Sequence, residues 1–276
     1  MIQLGMRQNL VIKRMKEFGA YVGEAGEETS VLLPRKQVPE GAGLGDSVEV
    51  FIYKDSQDRI IATTNMPKLS LGQIGKLKVA QVGQIGAFLE WGLEKDLFLP
   101  FKEQTHKVRT GEECLVALYI DKSRRLAATM RVYDYLRDDS PYKKDDKVTG
   151  TVYEINEEIG AFVAVDNRYN GLIPVRELFG AVRVGDEVET RVTQVREDGK
   201  LNLSVREKAY LQIEKDAEVI LQVLDEFEGR LPFTDKASPE VIKREFNLSK
   251  NAFKRAVGHL LKEEKIRIGE KSIEKL

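Results

Sequence analysis

Cysteine and histidine are the scarcest chemistry-bearing residues in this 276-residue chain, which has one cysteine and two histidines. The single Cys114 excludes an intramolecular disulfide framework and a zinc site built from several cysteines. His106 and His259 have no metal-ligand spacing around them, and no Gly-x-Ser-x-Gly motif is present. The glycine-rich residues 41–46 lack a phosphate-loop lysine. We therefore expect no enzymatic activity, no metal, no cofactor and no small-molecule substrate.

Long apolar runs are also missing. No stretch of 18 apolar residues exists, and the N-terminal residues lack the hydrophobic region of a signal peptide. The content of 42% hydrophobic and 32% charged residues is typical of a globular protein. We expect a cytoplasmic protein without a membrane partner. The net charge of −1 excludes the class of nucleic-acid binders whose whole surface is strongly basic.

What the chain does contain is one four-residue phrase written three times. Ile-Gly-Ala-Phe occupies residues 85–88 and 159–162, and Phe-Gly-Ala-Tyr occupies residues 18–21. At closely similar distances, each phrase is followed by an apolar run ending in proline, by a glycine and an acid that open an alternating strand, and by a last strand after a polar turn. The prolines and glycines are Pro34 and Gly45, Pro100 and Gly111, and Pro174 and Gly185. Three features in one register across three copies indicate an internal repeat.

Each copy contains five short segments with the alternation of β-strands, in about sixty residues and without a long helix. This pattern predicts a mostly β, multidomain chain with three tandem five-stranded barrels of the oligonucleotide/oligosaccharide-binding (OB) type. Closure into a barrel leaves no free edge strand. The small Gly-Ala pair predicts a bent or bulged second strand in each barrel.

The chain after the third copy has a different period. Apolar residues at helical spacing predict a helix over 210–228, and Ser238 and Ser249 are the expected N-caps of two further helices. A hairpin around Gly269 ends the chain, so a C-terminal winged helix-turn-helix is predicted. Residues 209–240 carry 3 Lys/Arg and 8 Asp/Glu, whereas residues 241–276 carry 10 and 5. The basic half is the natural nucleic-acid surface.

These patterns predict five segments: 1–66 (first barrel), 67–134 (second barrel), 135–146 (polar linker), 147–208 (third barrel) and 209–276 (winged helix). The connection between the third barrel and the winged helix contains neither Gly nor Pro. A helix is therefore expected to continue from the last strand and to hold these two domains in fixed geometry.

The third copy, from Gly150 to Arg206, resembles the S1-type RNA-binding domain, and the first two copies do so through their register with it. Three such domains followed by a winged helix resemble the conserved virulence factor B family of bacterial regulators. That resemblance implies a non-enzymatic, RNA-binding regulator of gene expression. We expect it to bind single-stranded RNA mainly through the third barrel, which keeps the S1 pattern best, and the winged helix, which holds the most concentrated positive charge. Two alternatives stay open. The winged helix could bind duplex DNA in a transcription regulator, or the barrels could be protein-interaction modules that dock on ribosome or polymerase.

The resemblance also implies which residues contact RNA. S1-type domains stack bases on two aromatic residues spaced by three and on a histidine of the next strand. The first copy keeps both aromatics, the others have Ile85 and Ile159 at the first place, and proline stands at the histidine place in all three copies. The expected stacking residues are Phe18, Tyr21, Phe88 and Phe162, with packing between barrels as the alternative. Alternation points Trp91 toward the core.

Basic residues complete the candidate interface, because Arg and Lys bind phosphate and Arg also stacks on bases. Solvated surface charge is the alternative for each of them. In the third barrel the basic candidates are Arg168, Arg176 and Arg191, and the aromatic Tyr169 stands beside Arg168 as a further candidate contact. In the winged helix they are Lys250, Lys254, Arg255, Lys262, Arg267 and Lys271.

Overall fold

The computed structural model describes residues 1–178, 182–205 and 209–276. For residues 209–212 it describes the backbone only. The chain divides into two units, Met1–Val205 and Arg206–Leu276. The predicted continuation of the last strand into a helix falls on residues 206–208, which lie outside the described residues. It stays a prediction.

The first copy folds into a closed barrel with strand order β1-β2-β3-β5-β4. Alternate side chains of its strands fill the interior, with Leu10, Val22 and Leu33 almost fully buried. The parallel pair Leu32↔Ile61 joins β3 to β5 and closes the ring. The strands are β1 (Arg7–Lys16), β2 (Gly19–Gly23), β3 (Val31–Pro34), β4 (Ser47–Lys54) and β5 (Ile60–Thr63).

The second copy has the same strand order but an open seam. Its strands are β6 (Ile74–Val82), β7 (Gly86–Glu90), β8 (Leu97–Pro100), β9 (Glu113–Ile120) and β10 (Leu126–Thr129). The hydrogen-bonded order is β10-β9-β6-β7-β8, so β8 and β10 are its two edges and form no ladder with each other in the described chain. The five-stranded barrel is therefore confirmed, whereas the expected closure is missing at this one seam.

The third copy is again a closed barrel, in which Gly171 and Leu172 pair in parallel with Leu201 and Asn202. Its strands are β11 (Lys147–Asn156), β12 (Gly160–Val165), β13 (Tyr169–Pro174), β14 (Glu187–Val195) and β15 (Leu201–Ser204). Residues 137–142 of the predicted linker lie along this barrel. The backbone of Arg137 forms an isolated parallel β-bridge with Tyr169, and the Asn170 side-chain amide donates to the Asp138 carboxylate at 2.7 Å.

The repeated phrase has a steric cause. Gly19 and Gly160 have φ angles of +152° and +134°, and a Cβ at either position would collide with the carbonyl oxygen of Leu33 or Ile173 on the next strand. The alanine that follows is fully buried inside the barrel in each copy, and the aromatic residue after it points outward. The phrase is therefore required to bring the second and third strands together.

The predicted bulge is real but lies on the other strand. In each copy the register shifts on the first strand, where one extra residue stands opposite the phrase. The extra residues are Lys13, Ala80 and Tyr153. Of the predicted bent or bulged second strand, the bulge was wrong: the extra residue lies on the first strand, and the glycine of the second strand serves close approach to the third.

The three copies pack on one another within the first unit. The Phe51 ring of β4 lies edge-on against Trp91 at a centroid distance of 5.8 Å, which confirms the core position predicted for Trp91. A second cluster of buried residues joins the second and third copies, and its members include Leu115, Leu136 and Tyr153. Side chains that face outward on an isolated barrel are therefore covered where two copies meet.

The second unit has the expected winged-helix order, with one additional strand. Its elements are α1 (Ala209–Glu226), β16 (Arg230–Leu231), α2 (Pro239–Phe246), α3 (Lys250–Lys262), β17 (Ile266–Ile268) and β18 (Ile273–Lys275). Both predicted caps are confirmed, because the Ser238 and Ser249 hydroxyls accept from the amides of Val241 and Ala252. The two-residue β16 pairs with β18 and was too short for its alternation to be recognised. No helix in the described chain is long and apolar enough to cross a membrane.

Candidate nucleic-acid interface

The first barrel presents an exposed aromatic pair at the start of β2. The Phe18 side chain is 57% exposed, and Tyr21 is half-buried on the outer side of the strand. Their rings meet edge to face at a centroid distance of 6.2 Å, and the Arg14 guanidinium lies 5.0 Å from the centre of the Tyr21 ring. Two aromatic faces beside a cation form a surface on which unpaired bases can stack while a phosphate is held. We call Phe18, Tyr21 and Arg14 the first-barrel platform.

The second barrel has an aromatic pair of different construction. Phe88 points outward from β7 and packs on Phe98 of β8, its direct cross-strand partner, with ring centroids 5.4 Å apart. The sequence comparison missed Phe98. It stands two residues before Pro100, where the other copies have Leu32 and Leu172, so aligning the copies on their prolines would have found it.

The third barrel does not present the rings expected of it. Tyr169 is only 8% exposed and belongs to the barrel core, where Tyr142 packs edge-on against it at 6.1 Å. This burial argues against the predicted role of Tyr169 as an RNA contact, because residues 137–142 cover its strand. Phe162 is half-buried and packs on Tyr153 at 6.1 Å, against the cluster between the second and third copies. Its contacts favour the alternative of packing between barrels.

The third-barrel arginines fall into two groups. Arg168 and Arg176 are exposed. Arg191, in contrast, is held by an ion pair with Asp145 at 2.9 Å, and its side chain is 20% exposed. A guanidinium already bound to a carboxylate gains less from a phosphate, because the existing pair must first be broken. Arg168 and Arg176 are therefore the better candidates.

Helix α3 of the second unit has a buried apolar face and an exposed basic face. Phe253, Ala256, Val257 and Leu260 are buried, whereas Lys254, Arg255 and Lys262 are exposed and Lys250 is half-buried. The structure records no ion pair for any of these four cations in the part of the second unit that it describes. We call Lys254, Arg255 and Lys262 the helix cations. Unpaired exposed cations on one helix face can bind phosphates without breaking an internal contact.

The two candidate cations of the terminal hairpin differ from each other. Arg267 donates to Glu274 at 2.7 Å, and this hydrogen bond lowers the pKa of the Glu274 carboxyl. Arg230 lies against the same carboxylate at 3.3 Å. Lys271 is exposed, and none of the described residues forms an ion pair with it. Lys271 is therefore free for a ligand, whereas Arg267 is engaged.

The residues that could carry other chemistry are engaged or buried. The His106 ring contacts Glu112 at 2.7 Å, and His259 contacts Glu263 at 3.3 Å. Burial raises the pKa of the Cys114 thiol to about 12, with the charge of Glu112 adding to the shift, so Cys114 is not an activated nucleophile. Across residues 1–178, 182–205 and 209–276, no group of His, Cys, Asp and Glu side chains could hold a metal ion.

Family comparison covers almost the whole chain. Residues 4–65 and 71–131 match the S1 domain family, and residues 134–207 match the second domain of virulence regulatory factor CvfB. Residues 218–274 match the CvfB-like winged helix domain. These domain types are regulatory or nucleic-acid-binding. Their order along the chain, S1-type domains before the winged helix, agrees with the order of the barrels and the helical unit in the structure.

Full-length relatives agree with the domain matches. The Bacillus subtilis protein YitL is 34% identical over 272 residues, which cover 95% of this chain and 90% of the relative. A conserved virulence factor B of Staphylococcus haemolyticus is 33% identical over 236 residues, covering 81% and 78%. A crystal structure of a Streptococcus pneumoniae multidomain protein with nucleic acid binding domains is similar with a TM-score of 0.50 and 25% identity, covering 99% of this chain and 98% of that one.

Proposed function

Because the chain belongs to the conserved virulence factor B family, we propose that it regulates gene expression, including virulence functions, by binding single-stranded RNA. The S1 and winged-helix domains support nucleic-acid binding as the general activity, and the Streptococcus pneumoniae relative is described as having nucleic acid binding domains. In our proposal the bases stack on the first and second barrels, and the helix cations bind phosphates. The third barrel contributes mainly charge through Arg168 and Arg176.

The observation that carries the proposal is the first-barrel platform. Of the phenylalanines that the structure describes, Phe18 is the most exposed, so its ring is open to a ligand. An exposed ring edge-on to a tyrosine, with a guanidinium over the tyrosine, suits the flat face of a base. Stacking of this kind needs an unpaired base, so single strands are favoured over duplexes.

Separate weak sites add up in this architecture. Each stacked base contributes about 1–3 kcal/mol, which alone gives little affinity. When several modules lie on one chain, binding at the first raises the effective concentration of the RNA at the next. The repetition of the barrel therefore compensates for the rings that the second and third copies lack at Ile85 and Ile159.

Duplex DNA is the second candidate ligand, and the helix cations favour it. In winged-helix proteins the third helix is the usual element that enters the major groove. Lys254, Arg255 and Lys262 are exposed on that helix and form no ion pair with the rest of the described chain. Phosphate contacts of this kind do not distinguish RNA from DNA, so the barrels must supply the discrimination.

A binding comparison tests the proposal. Fluorescence anisotropy would measure the affinity of the full chain for a labelled unstructured RNA of about 16 nucleotides, for the same sequence as single-stranded DNA, and for the duplex DNA. We expect RNA to bind most tightly, and the double variant Phe18→Ala/Tyr21→Ala to lose about 2–6 kcal/mol of RNA binding free energy. Phe227→Ala, which removes an exposed ring from the second unit, is the matched control. Tighter binding of duplex DNA, or no binding of naked RNA, would contradict the proposal.

A further inference from the structure

A cavity of about 260 Å³ opens at the seam of the second barrel, between β8 and β10 and against the first barrel. We propose that this seam pocket holds a single unstacked nucleobase, and therefore that the second barrel binds one base of an RNA by insertion rather than by surface stacking alone. The inference deepens the proposed function and rests on it for the identity of the ligand.

Aromatic side chains from both barrels line the pocket. Phe88 and Phe98 form one wall, and Trp91 lies deeper, at 3% exposure. Tyr53 of the first barrel also lines it. A flat, polarisable ligand suits such a wall, because each ring that it stacks on adds affinity regardless of sequence. A nucleobase is the flat ligand that a protein with S1 domains encounters.

The open seam supplies polar backbone groups. In the first and third barrels, the strands that correspond to β8 and β10 are joined by Leu32↔Ile61 and by Leu172↔Asn202. In the second barrel the corresponding residues are Phe98 and Ala127, which pair with Phe88 and Tyr119 on their inner sides but not with each other, and both line the pocket. Amide and carbonyl groups at an unpaired strand edge are available to another hydrogen-bonding partner. The polar edge of a base has both donors and acceptors, so it can form hydrogen bonds with such amide and carbonyl groups.

The charges of the pocket argue against a phosphate as the main ligand. Three cationic and three acidic side chains line it, so the lining has no net charge: Lys54, Lys95 and Arg125 against Asp58, Asp96 and Asp121. Arg125 is moreover bound to Asp58 across the two barrels. A pocket without net positive charge does not concentrate anions, whereas a neutral ring system enters it without an electrostatic penalty.

One acid in the pocket is suited to recognise a base edge. Asp96 is half-buried, and the structure records neither a hydrogen bond nor an ion pair for its carboxyl among the described residues. Burial raises the pKa of Asp96, and the charge of Glu90 raises it further. An N–H donor from a base would satisfy this carboxyl, since an ionised carboxylate can only accept hydrogen bonds.

The size of the pocket limits the ligand to one unit. Sites for drug-sized molecules enclose about 300–1,000 Å³, and the seam pocket lies just below that range at about 260 Å³. One base with part of its ribose fits this space, whereas two stacked nucleotides do not. The neighbouring nucleotides of an RNA would stay outside.

Trp91 provides a direct test, because it is the chain's one tryptophan and it lines the pocket. Uridine added to the full chain at about 1 mM and above should change the Trp91 emission in a saturable way. Uridine monophosphate should do so with similar affinity, and inorganic phosphate should have no effect. Phe98→Leu inserts the residue that the other two barrels have at this position, so the fold is preserved. It should weaken uridine binding about tenfold. Phe101→Leu, an exposed ring close by that does not line the pocket, is the matched control.

The outcomes separate this inference from the proposed function. If the chain binds RNA but uridine leaves Trp91 unchanged and Phe98→Leu leaves RNA affinity unchanged, the seam pocket is not a base site although RNA binding stands. If uridine changes the Trp91 emission while no RNA binds, the pocket stands and the RNA-binding proposal fails. A response to inorganic phosphate equal to that of uridine would overturn the assignment to a base.

Discussion

The first and third barrels differ in how accessible their outward rings are. The third copy was expected to be the better S1 match, but the S1 domain family matches the first two copies, and the second domain of CvfB matches the third. In the third barrel Tyr169 is buried in the core and Phe162 packs against the cluster between two barrels. In the first barrel Phe18 and Tyr21 both remain accessible and Arg14 lies over Tyr21. The first barrel therefore has the better surface for stacking bases.

This contrast shows what the motif encodes. The glycine, the alanine and the apolar run before proline are needed because strands must approach closely and fill a small barrel, and all three copies share that need. Whether an outward ring is available depends on what packs against it. In the third barrel, residues 137–142 and the second copy occupy that space. The shared motif thus reports a well-built barrel and not an accessible binding face.

The largest expected effect is a loss of stability, and it tests the close approach of the second and third strands that all three barrels require. Gly19→Ala and Gly160→Ala should each destabilise the first unit by about 3 kcal/mol, because the added Cβ collides with the backbone of the third strand at a strained φ. Urea denaturation followed by circular dichroism would measure this. Gly185→Ala is the control: its φ is +95° but nothing lies within 4 Å of the new Cβ, so about 1 kcal/mol is expected. Equal losses at Gly160 and Gly185 would show that close approach is not what the phrase provides.

The next effect separates binding from packing. Phe162→Ala should lower the stability of the first unit by about 2 kcal/mol, since its ring packs on Tyr153 and the cluster between barrels. RNA affinity per folded molecule should stay unchanged. Tyr21→Ala should do the reverse and weaken RNA binding by about 1–3 kcal/mol with little loss of stability. Thermal unfolding and anisotropy on both variants make the comparison, and a loss of RNA affinity in Phe162→Ala alone would reverse our assignment of the two barrels.

The helix cations should alter the salt dependence of binding. For single strands each phosphate contact adds about 0.7 to the slope of log K against log salt. Replacing Lys254, Arg255 and Lys262 by glutamine should therefore reduce the slope by about 2 if each binds one phosphate. Arg230→Gln/Arg267→Gln is the control, because both arginines already contact Glu274. An unchanged slope in the triple variant would remove α3 from the interface.

The smallest effect concerns Arg191. Its guanidinium is held by Asp145 at 2.9 Å, so Arg191→Gln should change RNA affinity by less than about 0.5 kcal/mol. Arg176→Gln, which removes an exposed arginine of the same barrel, should have the larger effect on affinity. Titrations of both variants at one salt concentration would decide. The opposite order would mean that the ion pair with Asp145 opens when RNA binds.

Much of the fold could be predicted from the sequence, for physical reasons that act locally. Alternation gave the strands, the two serine caps gave the helix starts, and alternation also placed Trp91 in the core. The open seam between β8 and β10 could not be predicted, because pairing between distant strands leaves no local signal. The two-residue β16 was missed because two residues carry no period.

The site was harder to predict, because accessibility is decided by neighbours. Phe18 and Tyr21 are accessible as the pattern suggested, whereas Tyr169 is covered by a segment that reads as a polar linker. Charge alone did not distinguish Arg267 from Lys271, since only the fold brings Glu274 beside the arginine. Phe98 was visible in the sequence, but only by comparing the three copies with one another.

Photo-crosslinking tests the central claim, that RNA bases stack on the first barrel, most directly. A single-stranded RNA with 4-thiouridine in place of uridine would be irradiated with the full chain, and the crosslinked residues would be identified by mass spectrometry. Our account predicts crosslinks at Phe18 and Tyr21, lost in the double alanine variant, with further crosslinks at the seam pocket. Crosslinks confined to the third barrel around Phe162, with none at Phe18 or Tyr21, would contradict it.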